Sequence, residues 1–312
     1  MVAPNSSRRE HALSAAPDPV RIFDRALLAR RRARVAASVA NHDFLLARVA
    51  EDLAERLSIV RRSFPLAANI GAHHGLVSQR ISGIAGVEHI VDVDGTAELL
   101  TGTAGWRVVA DDEALPFADA SLDLVVSGLS LQLVSDLPGA LVQIRRALKP
   151  DGLLLASLLG GATMHELREA WLAAEAEISG GASPRVAPFA DVRDMGGLLQ
   201  RAGFALPVVD SDTVTVTYAD PLALMQEVKA MGASNMLIAR RRTPVTRGLL
   251  LRAAEIYAER FAAADGRVPA TFEILTLTAW APDASQPQPL RPGSATTRLA
   301  DALGVSERKL RE

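Results

Sequence analysis

The stretch Val108–Ser157, VVADDEALPFADASLDLVVSGLSLQLVSDLPGALVQIRRALKPDGLLLAS, decides the fold. Leu122–Ser127 (LDLVVS) is a short apolar run with β-branched residues after a polar turn, the pattern of a strand buried on both faces. Asp136 and Pro138 supply an N-cap and an early proline, which open a helix. Leu137, Leu141, Ile144 and Leu148 then recur at helical spacing and give that helix one apolar side. Lys149–Gly152 (KPDG) stops it with a basic last turn, a proline and a glycine, and Leu153–Ser157 follows as a second apolar strand. A single crossover helix between two strands is the connection expected of a parallel pair. This βαβ unit predicts an α/β fold with a doubly wound, mainly parallel sheet that binds its ligands at the carboxyl ends of its strands.

Working outward, Arg107–Ala110, Ile90–Asp94 and Leu66–Ile70 read as three earlier strands, with an amphipathic helix through Leu46, Val49, Leu53, Leu57 and Val60 before them. On the other side come helices over Met164–Ile178 and Phe189–Gly203, and a strand over Val208–Tyr218 whose side chains alternate. Helices over Pro221–Met231 and Arg247–Phe261 lie between that strand and a last one, Val268–Trp280. The expectation is a seven-stranded sheet with an antiparallel edge and a helical insertion at 220–262 on the substrate side, over the strand tips. Residues 21–281 form one domain in this reading, between a loose polar tail at 1–20 and an irregular, proline-rich tail at 282–312.

A hydrophobic content of 49% in 312 residues is ample for a core of that size. A net charge of −2 argues against bulk electrostatic attraction to nucleic acid, which depends on many basic residues neutralising phosphates. The chain has no cysteine, which excludes disulfides, thiolate catalysis and cysteine-ligated metal centres. It also lacks any charge-free apolar run of about 18 residues, the length of a transmembrane segment. Neither a Walker G-x-x-x-x-G-K nor a dehydrogenase G-x-G-x-x-G is present, which argues against an NTPase or a nicotinamide dehydrogenase. Arg8 and Arg9 stand beside Glu10 and Asp18, so the first residues read as a tail rather than an acid-poor mitochondrial presequence. Arg21–Val35 carries six arginines among Ile22, Phe23, Leu27 and Leu28; it reads as a helix with a solvated basic face, or as a docking surface for an acidic or phosphate-bearing partner.

Taken in order, Asp111–Phe117 (DDEALPF), Leu122–Ser127 and Leu148–Gly152 resemble the S-adenosylmethionine-dependent methyltransferases of the Rossmann-like class. Further segments narrow the resemblance: Ile22–Arg25 (IFDR), Phe64–Ala67 (FPLA), Gly160-Gly161 with Glu166–Arg168, Arg201–Phe204, Met231-Gly232 with Ser234-Asn235, Val268–Thr271 and Gly293–Ala295. They are similar to one subfamily, that of the methyltransferase-fold assembly factor of mitochondrial respiratory complex I and its bacterial relatives. The resemblance implies a methyltransferase-type fold, S-adenosylmethionine as cofactor, and a protein substrate, with a complex I subunit hydroxylated on an arginine as the candidate. It places the protein in the cytoplasm of a bacterium or in the matrix of a mitochondrion.

The family's cofactor turn, D-x-G-x-G-x-G, is Asn69–Gly75 (NIGAHHG) here. Gly71 and Gly75 keep the outer glycines, His73 replaces the middle one, and Asn69 replaces the acid. A glycine lets the backbone approach a ligand without a Cβ in the way, and the acid would hold the methionine ammonium by a charge-assisted bond. Losing it weakens cofactor binding on the scale of about 1.5–3 kcal/mol. An acid at the end of the second strand accepts from ribose hydroxyls in such folds; Asp94 is the first choice and Asp92 the second. The resemblance places the Asp111 side chain on the adenine amino group and the Asp112 backbone on the ring. Ser127, at the tip of the fourth strand, and Ser130 beside it are either further ligand contacts or local caps of the strand end.

Catalytic residues are not assignable from the sequence. Gln132-Leu133 stand where the family usually shows a His-Trp pair, and glutamine cannot titrate. His165 is the remaining candidate base near the strand ends. The adjacent pair His73-His74 lacks partners at ligand spacing, so no metal site is expected. Three functions follow: a protein-modifying enzyme, by resemblance an arginine hydroxylase; a conventional methyltransferase; or a binding-only assembly factor whose cofactor site has decayed.

Overall fold

The computed structural model describes residues 21–287 and the isolated positions 294, 301 and 304. The tail expected at 1–20 and most of the one at 282–312 lie outside the described residues. Strands β1 (Leu66–Ile70), β2 (His89–Asp94), β3 (Trp106–Val109), β4 (Leu122–Gly128), β5 (Leu148–Leu159), β6 (Ala205–Tyr218) and β7 (Val268–Trp280) form one sheet in the order β3-β2-β1-β4-β5-β7-β6. The first five are parallel, and β7 runs antiparallel to both β5 and β6. The chain winds outward from β1 to β3, returns to β4 beside β1, and continues the other way. The crevice between β1 and β4 is therefore the switch point where ligands bind in such sheets.

Alternation along the central strands sets the two layers. Leu124, Val126, Leu153 and Leu155 face α2 (Phe44–Ser58), α3 (Leu76–Ile81), α5 (His165–Ser179) and α8 (Arg247–Phe261) in one buried cluster. Val125, Leu154 and Ala156 face α4 (Leu137–Ala147) and α6 (Val192–Arg201) in the other. Burial on both faces explains why these strands are continuous apolar runs. Leu53, Leu57, Leu141 and Ile144 are fully buried, and each contributes about 1.5–3 kcal/mol of transfer free energy.

Two expectations change. The Lys149–Gly152 segment does not stand between helix and strand: α4 ends at Ala147, Leu148 is already extended, and β5 begins there. Leu122 pairs with Leu148 and Leu124 with Leu153, so the extra residues form a bulge in which Asp151 takes φ +58° and Lys149 pairs with Asp123 at 2.7 Å. The insertion expected at 220–262 lies over the strand tips only in part. Helix α8 lies on the sheet face against α5, its Tyr257 hydroxyl donating to the Pro269 carbonyl at 2.6 Å. The tips are covered instead by α1 (Arg25–Val35) and the segment 233–240, which follows α7 (Pro221–Ala230). Phe23 bridges to Leu237, Asp24 N–H donates to the Met236 carbonyl, and Phe23, Leu28, Met236 and Leu237 form a small core of their own.

Candidate functional site

The site grows from the turn after β1. Gly71 has φ +64° and Gly75, which opens α3, has φ +82°. A Cβ on Gly71 would lie 2.0 Å from the Ser130 side chain, so the glycine is required by a close approach across the switch point. Between them His73 is left-handed at φ +51°, a conformation costing a side-chain-bearing residue on the order of 1 kcal/mol. Its backbone N–H donates to Asp94 Oδ2 at 3.1 Å, and its Nε2 meets the Gly128 carbonyl at 3.1 Å. Burial first, then the Arg32 charge, pushes its imidazole down to about 4. It is therefore neutral at physiological pH, with the proton on Nε2 because a carbonyl can only accept.

Asn69 is fully buried and acts as a donor. Its Nδ2 reaches Ser78 Oγ at 2.9 Å and Asp92 Oδ1 at 3.1 Å, and Ser78 donates to the same carboxylate oxygen. Burial raises the Asp92 carboxyl above its ordinary value. Asp92 thus closes a hydrogen-bonded triangle beneath the turn, two residues short of the strand tip. Asp94 is at the tip: its Oδ1 caps Thr96 N–H at 2.8 Å, and its Oδ2 faces Arg32 at 3.5 Å.

Asp111 and Asp112 divide differently from the expectation. The Asp111 carboxylate is 45% exposed and turned outward onto Arg25 at 2.7 Å. Asp112 is buried; its Oδ2 accepts from Ser130 at 2.7 Å, and its Oδ1 has no partner among the described residues. Burial raises its carboxyl as well, against the pull of Arg25 and Ser130. Ser127 is not turned toward this group: its hydroxyl donates to the Ile70 carbonyl at 2.8 Å and ties β4 to β1. Gln132 donates to the Leu129 carbonyl at 2.7 Å. His165 stands at the start of α5 near Phe261, with no polar contact to the Asp94–Asp112 group.

The structure brings together two residues not singled out for this site, Arg25 and Arg32. They are seven apart on α1 and so share one helical face. Arg25 also donates to the Leu133 carbonyl at 3.0 Å, so α1 spans the segments after β2, β3 and β4. His74 likewise has a partner, Asp43, at 3.0 Å from its Nε2. Among the described residues, no cluster of three or more histidine or acidic side chains is arranged to hold a metal ion. A separate groove of about 440 Å³ opens between α2 and β6, lined by Arg48, Asp52, Arg56, Asp210 and Asp212. It lies away from the strand tips, and its charges pair with one another.

An open sheet of this order, with a glycine turn after β1 and acids at the tips of β2 and β3, defines a Rossmann-like methyltransferase-type protein. A family model described as a methyltransferase domain matches residues 68–156. Two Bacillus structures, BH2331 of Bacillus halodurans and YcgJ of Bacillus subtilis, each superpose with a TM-score of 0.53, at 17% and 14% identity. They cover 74% and 75% of this chain and 99% of their own, and they speak for the fold alone. The protein named arginine-hydroxylase NDUFAF5, mitochondrial, from Danio rerio is 37% identical over 293 residues, 92% of this chain and 91% of that one. A malonyl-[acyl-carrier protein] O-methyltransferase of Halorhodospira halophila is 37% identical over 240 residues, 74% of this chain and 79% of its own. The chain belongs to the methyltransferase-fold family that contains these arginine hydroxylases and O-methyltransferases.

Proposed function

We propose that this chain binds S-adenosylmethionine at the β1–β4 crevice and modifies a side chain of a partner protein. The observation that carries the reading is the buried, unpartnered Oδ1 of Asp112 beside the glycine turn. An acceptor without a donor costs about 1–3 kcal/mol, and an exocyclic amine or a ribose hydroxyl of a nucleoside would satisfy it. Asp94 and the Gly71–Gly75 turn complete the nucleoside side. This reading assigns the inward carboxylate to Asp112, with Asp111 holding Arg25. S-adenosylmethionine, if bound, would supply an electrophilic methyl on a sulfonium, and this chain's own part would be to bind and orient it. His73 lies where a glycine would leave room for the methionine end, so affinity for the full cofactor is reduced.

The finer reading, by analogy with the relatives named arginine-hydroxylase that align over nine-tenths of this chain, is hydroxylation of an arginine in a respiratory complex I subunit; inserting that oxygen would need dioxygen and a two-electron donor, which the sulfonium methyl does not supply. A methyl transfer to another acceptor is the second reading, supported by the 37% identity to a malonyl-[acyl-carrier protein] O-methyltransferase. Closure of the carboxylates by Arg25 and Arg32, with Asn69 and His73 in the turn, supports a binding-only factor as the third. A cytoplasmic or matrix location goes with the first; no helix among the described residues is long and apolar enough to cross a membrane.

Calorimetric titration with S-adenosylhomocysteine and adenosine tests the site. Binding by the unmutated chain that falls at least about tenfold in Asp112→Ala and less in Asp111→Ala is the expected result. Equal losses would refute the assignment of Asp112. Mass analysis of candidate substrate proteins then separates the three functions: a gain of one oxygen, a gain of one methylene, or no change.

A further inference from the structure

Residues 21–35 hold six arginines and one acid, Asp24, while residues 231–247 hold four arginines and none, in a chain whose net charge is −2. The fold joins these two segments into one cover over the strand tips. Ile238 N–H donates to the Ile22 carbonyl at 2.9 Å, and Arg31 donates to the Ser234 carbonyl at 2.7 Å. Arg25 and Arg32 point inward to the carboxylates of the site. Arg30 and Arg34 lie on the opposite side of α1, and with Arg21, Arg241 and Arg242 they are exposed. None of these five has an acidic partner among the described residues. Asp24 is already paired with Arg240 at 3.0 Å. The cations crowd one another: burial first, then Arg240 and Arg34, lowers the Arg31 guanidinium below its ordinary value.

Resting on the reading of the strand tips as the reacting side, we infer that this outer face docks an acidic segment of the protein substrate next to the side chain being modified. The face is built from arginine without lysine, and planar guanidinium forks pair carboxylates bidentately. Its sole aromatic residue, Phe23, is buried, so it offers no platform on which nucleic-acid bases stack. The position suits a substrate held by charge outside the cover while its target residue reaches the crevice beneath.

The test is fluorescence anisotropy with a labelled peptide of glutamates and serines around one arginine, compared with duplex DNA and with phosphatidylserine-containing vesicles. The unmutated chain should bind the peptide, and more weakly as salt rises. The variant Arg30→Glu/Arg34→Glu/Arg241→Glu/Arg242→Glu should bind about tenfold or more weakly. A control with the same change of net charge, Arg61→Glu/Arg193→Glu/Arg201→Glu/Arg260→Glu, should stay within about twofold, since those exposed arginines lie outside the cover. Should the first variant not fold, Arg30→Gln/Arg241→Gln carries the same test with a loss of about threefold. Equal losses in cover and control variants would overturn the inference, as would tighter binding of DNA or vesicles than of peptide. Peptide binding absent while S-adenosylhomocysteine still binds overturns this inference alone; the reverse pattern overturns the cofactor reading and leaves the docking face standing.

Discussion

His73 stands where the family's turn has its middle glycine, and its effects can be separated by one substitution. His73→Gly relieves a left-handed side-chain-bearing residue and clears the imidazole from the β4 tip, so affinity for S-adenosylhomocysteine should rise several-fold by calorimetry. The same variant should flatten the acid side of the stability curve. With its folded value near 4 and an unfolded value near 6.5, His73 takes up a proton more readily when the chain unfolds. Stability is then fully present above pH 6.5 and declines as pH falls toward 4, by up to about 3 kcal/mol, less for the ring's remaining access to water. Asp92 and Asp112, raised by burial, act with the opposite sign, so the comparison is between variant and unmutated chain at each pH. An unchanged slope between pH 6 and 5 in urea titrations would refute the burial of His73. Asn69 carries a different lesson. Restoring the family's acid by Asn69→Asp would set a second carboxylate about 3.1 Å from Asp92, in place of the donor that now serves it. The variant should lose about 2–4 kcal/mol at neutral pH and regain part of it on acidification, when the pair can share a proton. The departure at Asn69 is legible in the sequence; its reason is not, because Ser78 and Asp92 reach it from α3 and β2.

At the scale of elements, strands and helices were legible wherever a single period ran uninterrupted. Leu66–Ile70, Arg247–Phe261 and Val268–Trp280 fall on their sequence-based bounds. The KPDG segment misled because a proline and glycine after a helix read as a stop, whereas here they bulge an existing pairing between β4 and β5. The arginines of α1 misled more seriously. A run of arginines reads as solvated, yet the seven-residue spacing of Arg25 and Arg32 already marks two of them as sharing a face, which the fold turns onto Asp111, Asp112 and Asp94. A second ion pair hidden in the sequence anchors the loop after α5. Glu175 is fully buried, accepts from Ser183 N–H and pairs with Arg185, whose guanidinium lies 4.7 Å from the Trp171 ring centre. Asn235 then donates to the Pro184 carbonyl at 2.8 Å, linking this loop to the cover. Glu175→Gln leaves Arg185 without its counter-charge and should cost about 3 kcal/mol in urea unfolding. Hydrogen exchange at 180–187 should accelerate together with that at 233–238; acceleration in the first segment alone would break the proposed link.

For the molecule as a whole, the decisive relation is between the sheet and the cover that closes its switch point. Asp94 Oδ2 and Asp112 Oδ2 face arginines while Asp112 Oδ1 is unpartnered, so a nucleoside that also takes Asp94 must either displace Arg25 and Arg32 or recruit them. Displacement divides the competent population by the cost of breaking two ion pairs, and the apparent dissociation constant rises in proportion. The variant Arg25→Gln/Arg32→Gln tests this directly. Adenosine, which carries no carboxylate for either arginine to hold, should bind roughly tenfold more tightly to the variant, the equivalent of about 1.4 kcal/mol of closure. The same variant should be less stable in urea, because buried Asp94 loses its facing cation. If the arginines instead contact the nucleoside, adenosine binds the variant more weakly than the unmutated chain, and α1 is part of the ligand site rather than its closure. Equal affinity in both would place the nucleoside elsewhere on the sheet, since nothing could occupy Asp94 and Asp112 while remaining indifferent to the cations that now face them.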